Sequence, residues 1–309
     1  MYVIKTARRF AANTALQRLP LTTYLYRKVM HGAYPEPEVT ADFRGLSLTV
    51  PTHDVTIVPG LLGGFYEEIE LDLFERLAAL SPTVVDVGAN IGVYTCSAAR
   101  GQPADGMVVA YEPVPENLDF LRRNIRANVP DRPVIVREAA VGAAEGDLAL
   151  HLADGIGTHS AAPGNARSDR GALQVPLVAL DQDLSRTGAG RPDLLKVDVE
   201  GYDGFVLDGA RRTLAEARPT LFTEYVPGRL RRCAFEPAQF LDIVFAHYPD
   251  VYLTGGPRHR LRRVTRADLA SGTNEMANAN LVAPGRPEHL EVVEGYRAAT
   301  PARALRTSR

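Results

Sequence analysis

Cysteine, net charge and long apolar runs are all scarce in this 309-residue chain. Two cysteines, Cys96 and Cys233, are too few for a disulfide framework or a Cys-based zinc site, and no C-x-x-C pair supplies a redox motif. They read as buried structural thiols in a reducing compartment, which points to the cytoplasm. Basic side chains number 35 against 37 acidic ones, and this balance argues against nucleic acid as a partner. No stretch approaches the ~20 apolar residues of a membrane-spanning helix. Internal repeats and long low-complexity tracts are absent as well.

The first 35 residues lack acids altogether, yet they carry Lys5, Arg8, Arg9, Arg18, Arg27 and Lys28. Ile4, Ala7, Ala11 and Ala15 fall on one helical face. The apolar core is too short for a secretory signal, and scarce serine makes a transit peptide the weaker option beside two others. Two readings stay open: a helix packed on the main domain, or a basic amphipathic helix in peripheral contact with an anionic membrane surface.

With 45% hydrophobic and 23% charged residues, the chain is ordinary globular material. A helical or strand-bearing extension is expected over 1–60, a main domain over 61–285 with an insertion at 142–192, and a Pro-, Arg- and Ala-rich, ill-packed tail over 286–309. Leu46 to Val50 alternates as a strand does, Pro59-Gly60 and Gly63-Gly64 mark turns, and Tyr66 to Leu80 is an amphipathic helix. Strand signals follow at Thr83–Val87, Val108–Tyr111, Val134–Val136, Leu194–Val199 and Thr220–Tyr225. Helices are predicted at Gly92–Arg100, Pro115–Asn128 and Tyr202–Ala217. Pro115 suits a first helical turn, where its missing N–H costs nothing. A helix at Ala238–Phe245 and strands at Val251–Leu253 and Asn280–Ala283 complete the pattern. Strands separated by such helices make parallel β-α-β units, hence a doubly wound α/β sheet covered on both faces. Within the insertion, Leu148–Leu152 and Val175–Leu180 read as extra strands, and Gly155–Gly171 as a polar loop of the kind that covers binding sites.

The chemistry concentrates where strands end. In Val84-Val85-Asp86-Val87-Gly88-Ala89-Asn90-Ile91-Gly92 a buried strand runs into a small turn that opens a helix. Gly88 lets the backbone turn close to a ligand, and Gly92 lets the helix pack on the sheet. Asp86 lies where an adenosyl cofactor's ammonium would sit, whereas a phosphate site avoids a fixed anion. Asn90 replaces the middle glycine of the dinucleotide fingerprint. Glu112 ends the second strand 24 residues after Gly88, placed to accept ribose hydroxyls. Asp198 and Glu200 close the fourth strand and share a side with Lys196 if the strand persists.

These segments together resemble the FkbM-type methyltransferases. The resemblance rests on Asp86-Val87-Gly88-Ala89-Asn90-Ile91-Gly92, Tyr111-Glu112-Pro113 and Leu195-Lys196-Val197-Asp198-Val199-Glu200-Gly201, in that order. Gly64-Phe65-Tyr66-Glu67, Asn117, Leu180-Asp181 and Thr223-Glu224 also fit. Asp203 departs from it, being shorter than the usual Glu. The likeness covers roughly Gly64 to Tyr225. It implies a Rossmann-like class I methyltransferase fold, S-adenosylmethionine as cofactor, and O-methylation of a hydroxyl on a sugar, glycolipid or secondary metabolite. On this reading the fold is a seven-stranded, mostly parallel sheet. Glu67, Asp86, Gly88, Asn90, Gly92, Glu112, Asn117 and Glu138 would surround the cofactor, with Glu138 near the adenine. Asp198, Glu224 and the loop residue His159 are the candidate catalytic groups.

Rival readings are weighed on the same residues. Asp198, Glu200 and Glu224 offer oxygen atoms to Mg²⁺, but no His/Cys cluster joins them, so no metal is assigned. Asn90 and Asp86 disfavour a nicotinamide-dependent oxidoreductase, and the acids at strands four and five disfavour a non-catalytic cofactor-binding scaffold. Arg258 to Arg266 forms a basic segment suited either to an anionic acceptor or to a solvated connection.

Overall fold

The structure, a computed structural model, describes residues 34, 36–163, 165, 170–254, 261–271 and 279–299. The N-terminal basic segment and Arg258 to Arg260 therefore lie outside the described residues. Thirteen strands and ten α-helices are present among the described residues. Strand β3 (Thr83–Val87) is buried along its whole length, as a β-branched strand covered on both faces must be. It pairs in parallel with β4 (Met107–Tyr111), and β4 with β5 (Val134–Arg137). On its other side lie β9 (Leu194–Val197) and then β10 (Thr220–Tyr225), also parallel. Beyond β10, β13 (Ala279–Ala283) runs antiparallel, followed by β11 (Val251–Thr254) and β12 (Arg262–Val264). The sheet order is β12-β11-β13-β10-β9-β3-β4-β5, eight strands where seven are expected, with β12 added at the edge. Strand order reverses between β3 and β9, and ligands bind at the carboxyl edge of such a switch point.

Helices cover both faces. Helix α1 spans Val58–Gly63, α2 Glu68–Ala78, α3 Val93–Gly101 and α4 Pro115–Asn128. Helix α5 (Leu180–Thr187) lies within the insertion, and after it come α6 (Asp203–Asp208), a π-helical turn (Thr213–Ala217), α7 (Pro227–Arg232) and α8 (Pro237–His247). The last two are α9 (Arg266–Ala270) and α10 (Pro287–Ala299). The insertion folds as a second sheet, β6 (Ala140–Gly142), β8 (Ala172–Ala179) and β7 (Gly146–His151), in that spatial order. No helix among the described residues is long and apolar enough to cross a membrane.

The extension belongs to the same core. Strands β1 (Glu38–Phe43) and β2 (Leu46–Pro51) form a hairpin around Arg44 and Gly45, both at positive φ, as a two-residue hairpin turn demands. Phe43, Leu46, Leu48 and Val50 join the cluster that holds Phe74, Val84 and Ile91. Each fully buried leucine there contributes roughly 1.5–3 kcal/mol. Two asparagines of α4 satisfy the outer edge of β2. Asn128 accepts from Ser47 N at 2.7 Å, and Asn124 both accepts from Thr49 N (2.8 Å) and donates to Thr49 O (3.1 Å).

Two expectations are corrected. Pro59-Gly60 and Gly63-Gly64 bracket helix α1 rather than two turns, with proline in its first turn and Gly64 as its left-handed stop. The tail is packed over residues 287–299 through α10, while residues 300–309 lie outside the described residues. Val293 is buried, and buried His289 meets Thr220 Oγ1 at 2.6 Å and Ser81 Oγ at 3.4 Å.

Candidate active site

A cavity of about 590 Å³ opens at the carboxyl edge of β3, β4, β9 and β10. Its two ends differ in chemistry. At one end the turn after β3 meets the end of β4. Gly88, at φ +82, passes so close to β9 that a Cβ there would lie 2.0 Å from Asp198 O, so only glycine fits. Asn90 adopts φ +51, a conformation asparagine tolerates better than most residues. Its backbone N–H donates to Glu112 Oε2 at 2.9 Å, while Val114 N (3.0 Å) and Asn117 Nδ2 (3.3 Å) donate to Oε1. Three donors leave one of the four lone-pair positions of the carboxylate unused. Burial pushes the Glu112 carboxyl up to about 7, against the pull of the Val114 and Asn90 amides. Asn117 Oδ1 is a buried acceptor with no hydrogen-bond donor. Ala139, Ala140, Val141, Leu148 and Leu150 give this end an apolar wall.

The other end is crowded with charge. Lys196 Nζ lies 3.4 Å from Asp86 Oδ1, 3.7 Å from Asp198 Oδ2 and 4.8 Å from the centre of the Tyr94 ring. Burial opposes its ammonium, but the carboxylates of Asp86, Asp198 and Glu67 outweigh that and hold its pKa above the ordinary lysine value. Arg229, from the first turn of α7, reaches Glu200 Oε2 at 2.8 Å and Glu224 Oε2 at 2.7 Å through one nitrogen. Burial and then Asp198 push Glu224 up to about 7, against Arg229. Glu200 is also raised by burial, and it sits at φ +56 with its carbonyl held by Ser160 Oγ at 2.9 Å. Glu67, at φ +40, accepts from the Tyr94 hydroxyl at 2.6 Å, and burial with the Asp198 charge raises it to about 8. Left-handed backbone at three non-glycine residues around one cavity is strain of the kind that functional sites store.

Of the residues singled out in the sequence, Glu67, Gly88, Asn90, Glu112, Asn117, His159, Asp198 and Glu224 all line this cavity. Three do not. Asp86 is fully buried off the wall, accepting from Thr95 Oγ1 at 2.7 Å. Its register partner on β9 is Lys196, so the fixed cation beside it is the protein's own rather than a ligand's. Gly92 packs on α4, where a Cβ would lie 2.7 Å from Leu121 Cδ1. Glu138 points to the surface and pairs with Arg122, outside the cavity lining. His159 lines the cavity, but its Nδ1 accepts from Ala153 N at 3.0 Å. The ring proton then sits on Nε2, which makes the imidazole a donor there and not a base.

Arg229, Tyr94 and Asn280 also line the site, as does Tyr66 of the Gly64-Phe65-Tyr66-Glu67 segment, and the sequence did not mark any of the four as a site residue. The signal for Arg229 was available, since it lies four residues beyond the end of β10 at the ligand-binding edge. The described part of the basic segment sits elsewhere: Arg263 pairs with Asp250 and Arg266 with Asp242 at the far edge of the sheet.

Over residues 86–244 the chain matches the Methyltransferase FkbM domain. The hexuronic acid methyltransferase AglP of Haloferax volcanii is 28% identical over 131 residues, covering 42% of this chain and 50% of that protein. The methyltransferase sdnD of Sordaria araneosa is 30% identical over 179 residues, covering 47% of this chain and 67% of that one. The chain thus spans half the length of the first relative and about two thirds of the second. A crystal structure of methyltransferase FkbM from Methylobacillus flagellatus is similar at a TM-score of 0.39 and 19% identity, over 74% of this chain and 55% of that one.

Proposed function

The chain belongs to the FkbM methyltransferase family, and from that premise we propose that it transfers a methyl group from S-adenosylmethionine to a hydroxyl of a sugar or other small hydroxylated metabolite. The observation that carries this reading is one cavity with two unlike ends, meeting at the switch point between β3 and β9.

The end built from Gly88, Asn90, Glu112 and Asn117 fits the adenosyl part of the cofactor. Glu112 keeps an acceptor position for a ribose hydroxyl, and the donor-free Asn117 Oδ1 suits a hydroxyl or amine. The apolar wall of β6 and β7 suits a base. When bound, S-adenosylmethionine supplies a methyl carbon already activated by its sulfonium. The protein's remaining work is to hold the acceptor in line and to receive one proton. Alignment alone is worth several kcal/mol of the barrier.

Asp198 and Glu224 face the same space from neighbouring strand ends. Lys196 steadies the first and Arg229 the second. A carboxyl raised to about 7 is matched to taking a proton near neutral pH, so Glu224 is assigned that role and Asp198 the orientation of the hydroxyl. The test is transfer of labelled methyl to a panel of hexoses, uronic acids and hydroxylated metabolites. Glu224→Gln should lower kcat by about 10²–10⁴-fold, and Asp198→Asn should mainly raise the acceptor KM. Unchanged kcat in Glu224→Gln rules out the assigned base, and no labelled product with any hydroxylated compound rules out the acceptor class.

A further inference from the structure

One wall of the cavity comes from a segment that precedes the matched domain. Asp54 is fully buried and accepts five hydrogen bonds. Oδ2 takes the backbone amides of Thr56 (3.1 Å), Ile57 (2.8 Å) and Val58 (2.9 Å), which fixes the start of α1. Oδ1 takes the Thr56 hydroxyl (2.6 Å) and, 102 residues along the chain, the amide of Ile156 (3.0 Å). Ile156 is gripped on its other side too, because its carbonyl accepts from Asn90 Nδ2 at 2.8 Å and Asn117 Nδ2 at 3.3 Å.

The flanking glycines are a second, independent sign of a built seam. A Cβ on Gly155 would lie 2.4 Å from Thr56 Cγ2, and one on Gly157 would lie 2.8 Å from Ile57 Cδ1. Loop and segment therefore pack so closely that a Cβ at either glycine would require the Thr56 or Ile57 side chain to shift. Thr56, Ile57, Ile156, Gly157, Thr158 and His159 all face the cavity. The network continues to Glu112, since Asn90 and Asn117 also donate to that carboxylate.

We infer that Asp54 is a positioning residue that latches the 155–158 loop across the cavity, so that cofactor entry and release require the Asp54–Ile156 bond to open. The inference rests on the cofactor assignment above for its ligand, but not for the latch itself. It places part of the cofactor pocket outside the matched domain, in a stretch whose sequence carries no motif.

The test uses the full chain and S-adenosylhomocysteine as probe. In Asp54→Ser one short oxygen remains to cap α1, and none reaches Ile156. Gly157→Ala is the second variant, which pushes the Ile57 side chain off the loop while leaving every hydrogen bond of Asp54 chemically intact. Each should accelerate amide exchange at Ile156 to Thr158 by at least about tenfold. Each should raise the S-adenosylhomocysteine Kd by at least about fivefold, mainly through faster release. At saturating cofactor, kcat should stay within about threefold, so the effect appears in KM. Faster exchange with unchanged release, or unchanged exchange in a folded variant, overturns the latch. A wild-type protein that binds no S-adenosylhomocysteine instead overturns the cofactor assignment, and amide exchange without ligand still judges the tether.

Discussion

Lys196→Met tests how the turn after β3 is held together. The side chain of Lys196 is 8% exposed, that of Asp86 is 0% and that of Asp198 is 37%. Methionine keeps most of the length and the apolar body of lysine but removes its charge. Asp86 would then keep one strong donor, the Thr95 hydroxyl at 2.7 Å, for two oxygens out of contact with water. Breaking a buried pair by removing one partner costs about 3–5 kcal/mol. The Asp198 contact adds little, because water in the cavity screens that carboxylate. For a domain of this size 1 kcal/mol moves Tm by about 2–4 °C, so a fall of roughly 6–20 °C is expected. Asp86→Asn alone should cost less, since Lys196 retains Asp198. The double variant should recover at least about 1–2 kcal/mol relative to additivity, because no buried charge is then stranded. The assay is ligand-free urea denaturation and thermal melting of the four proteins. A Tm for Lys196→Met within about 3 °C of wild type, or strict additivity, would refute the reasoning.

Stability should also depend on pH in a direction set by the raised acids. Glu67 titrates near 8 in the folded chain, and Glu112 and Glu224 near 7, against an ordinary value of 4.5. Their contribution is fully present below about 4.5 and is lost as pH rises through 7 to 8, because the unfolded chain gives up those protons first. Ligand-free protein should therefore resist urea better at pH 6 than at pH 8, and Glu67→Gln should flatten that slope; stability that rises over this interval contradicts the account. His159→Gln should leave kcat within about tenfold and keep both limbs of the pH–rate profile, whereas losing a true base costs about 10²–10⁴-fold.

Much of the architecture was legible because its elements obey strong local rules. The α4 boundaries follow from Pro115 and the Leu118, Leu121, Ile125 spacing, and β10 from a β-branched and aromatic run. Short elements were not legible. β6 has three residues and no period, and β12 reads as part of a basic connection. Helix α10 is concealed by a composition that resembles a tail, although buried His289 and Val293 fix it to the core. At the site, strand ends pointed to Glu112, Asp198 and Glu224, which line the cavity, and to Asp86, which does not, because the direction in which each side chain faces is a property of pairing. Asp86 faces Lys196 only because β3 and β9 lie in that register. The link from Asp54 to the cavity loop gave no signal, since its partner Ile156 lies 102 residues away.

The most direct test of the central claim is calorimetric titration of the purified protein with S-adenosylhomocysteine, beside a folded Glu112→Gln variant and an NAD titration. The account predicts micromolar binding by wild type, no NAD binding, and at least about tenfold weaker S-adenosylhomocysteine binding in the variant, or about 1.4 kcal/mol. Well-folded wild-type protein that ignores S-adenosylhomocysteine and binds NAD would contradict it.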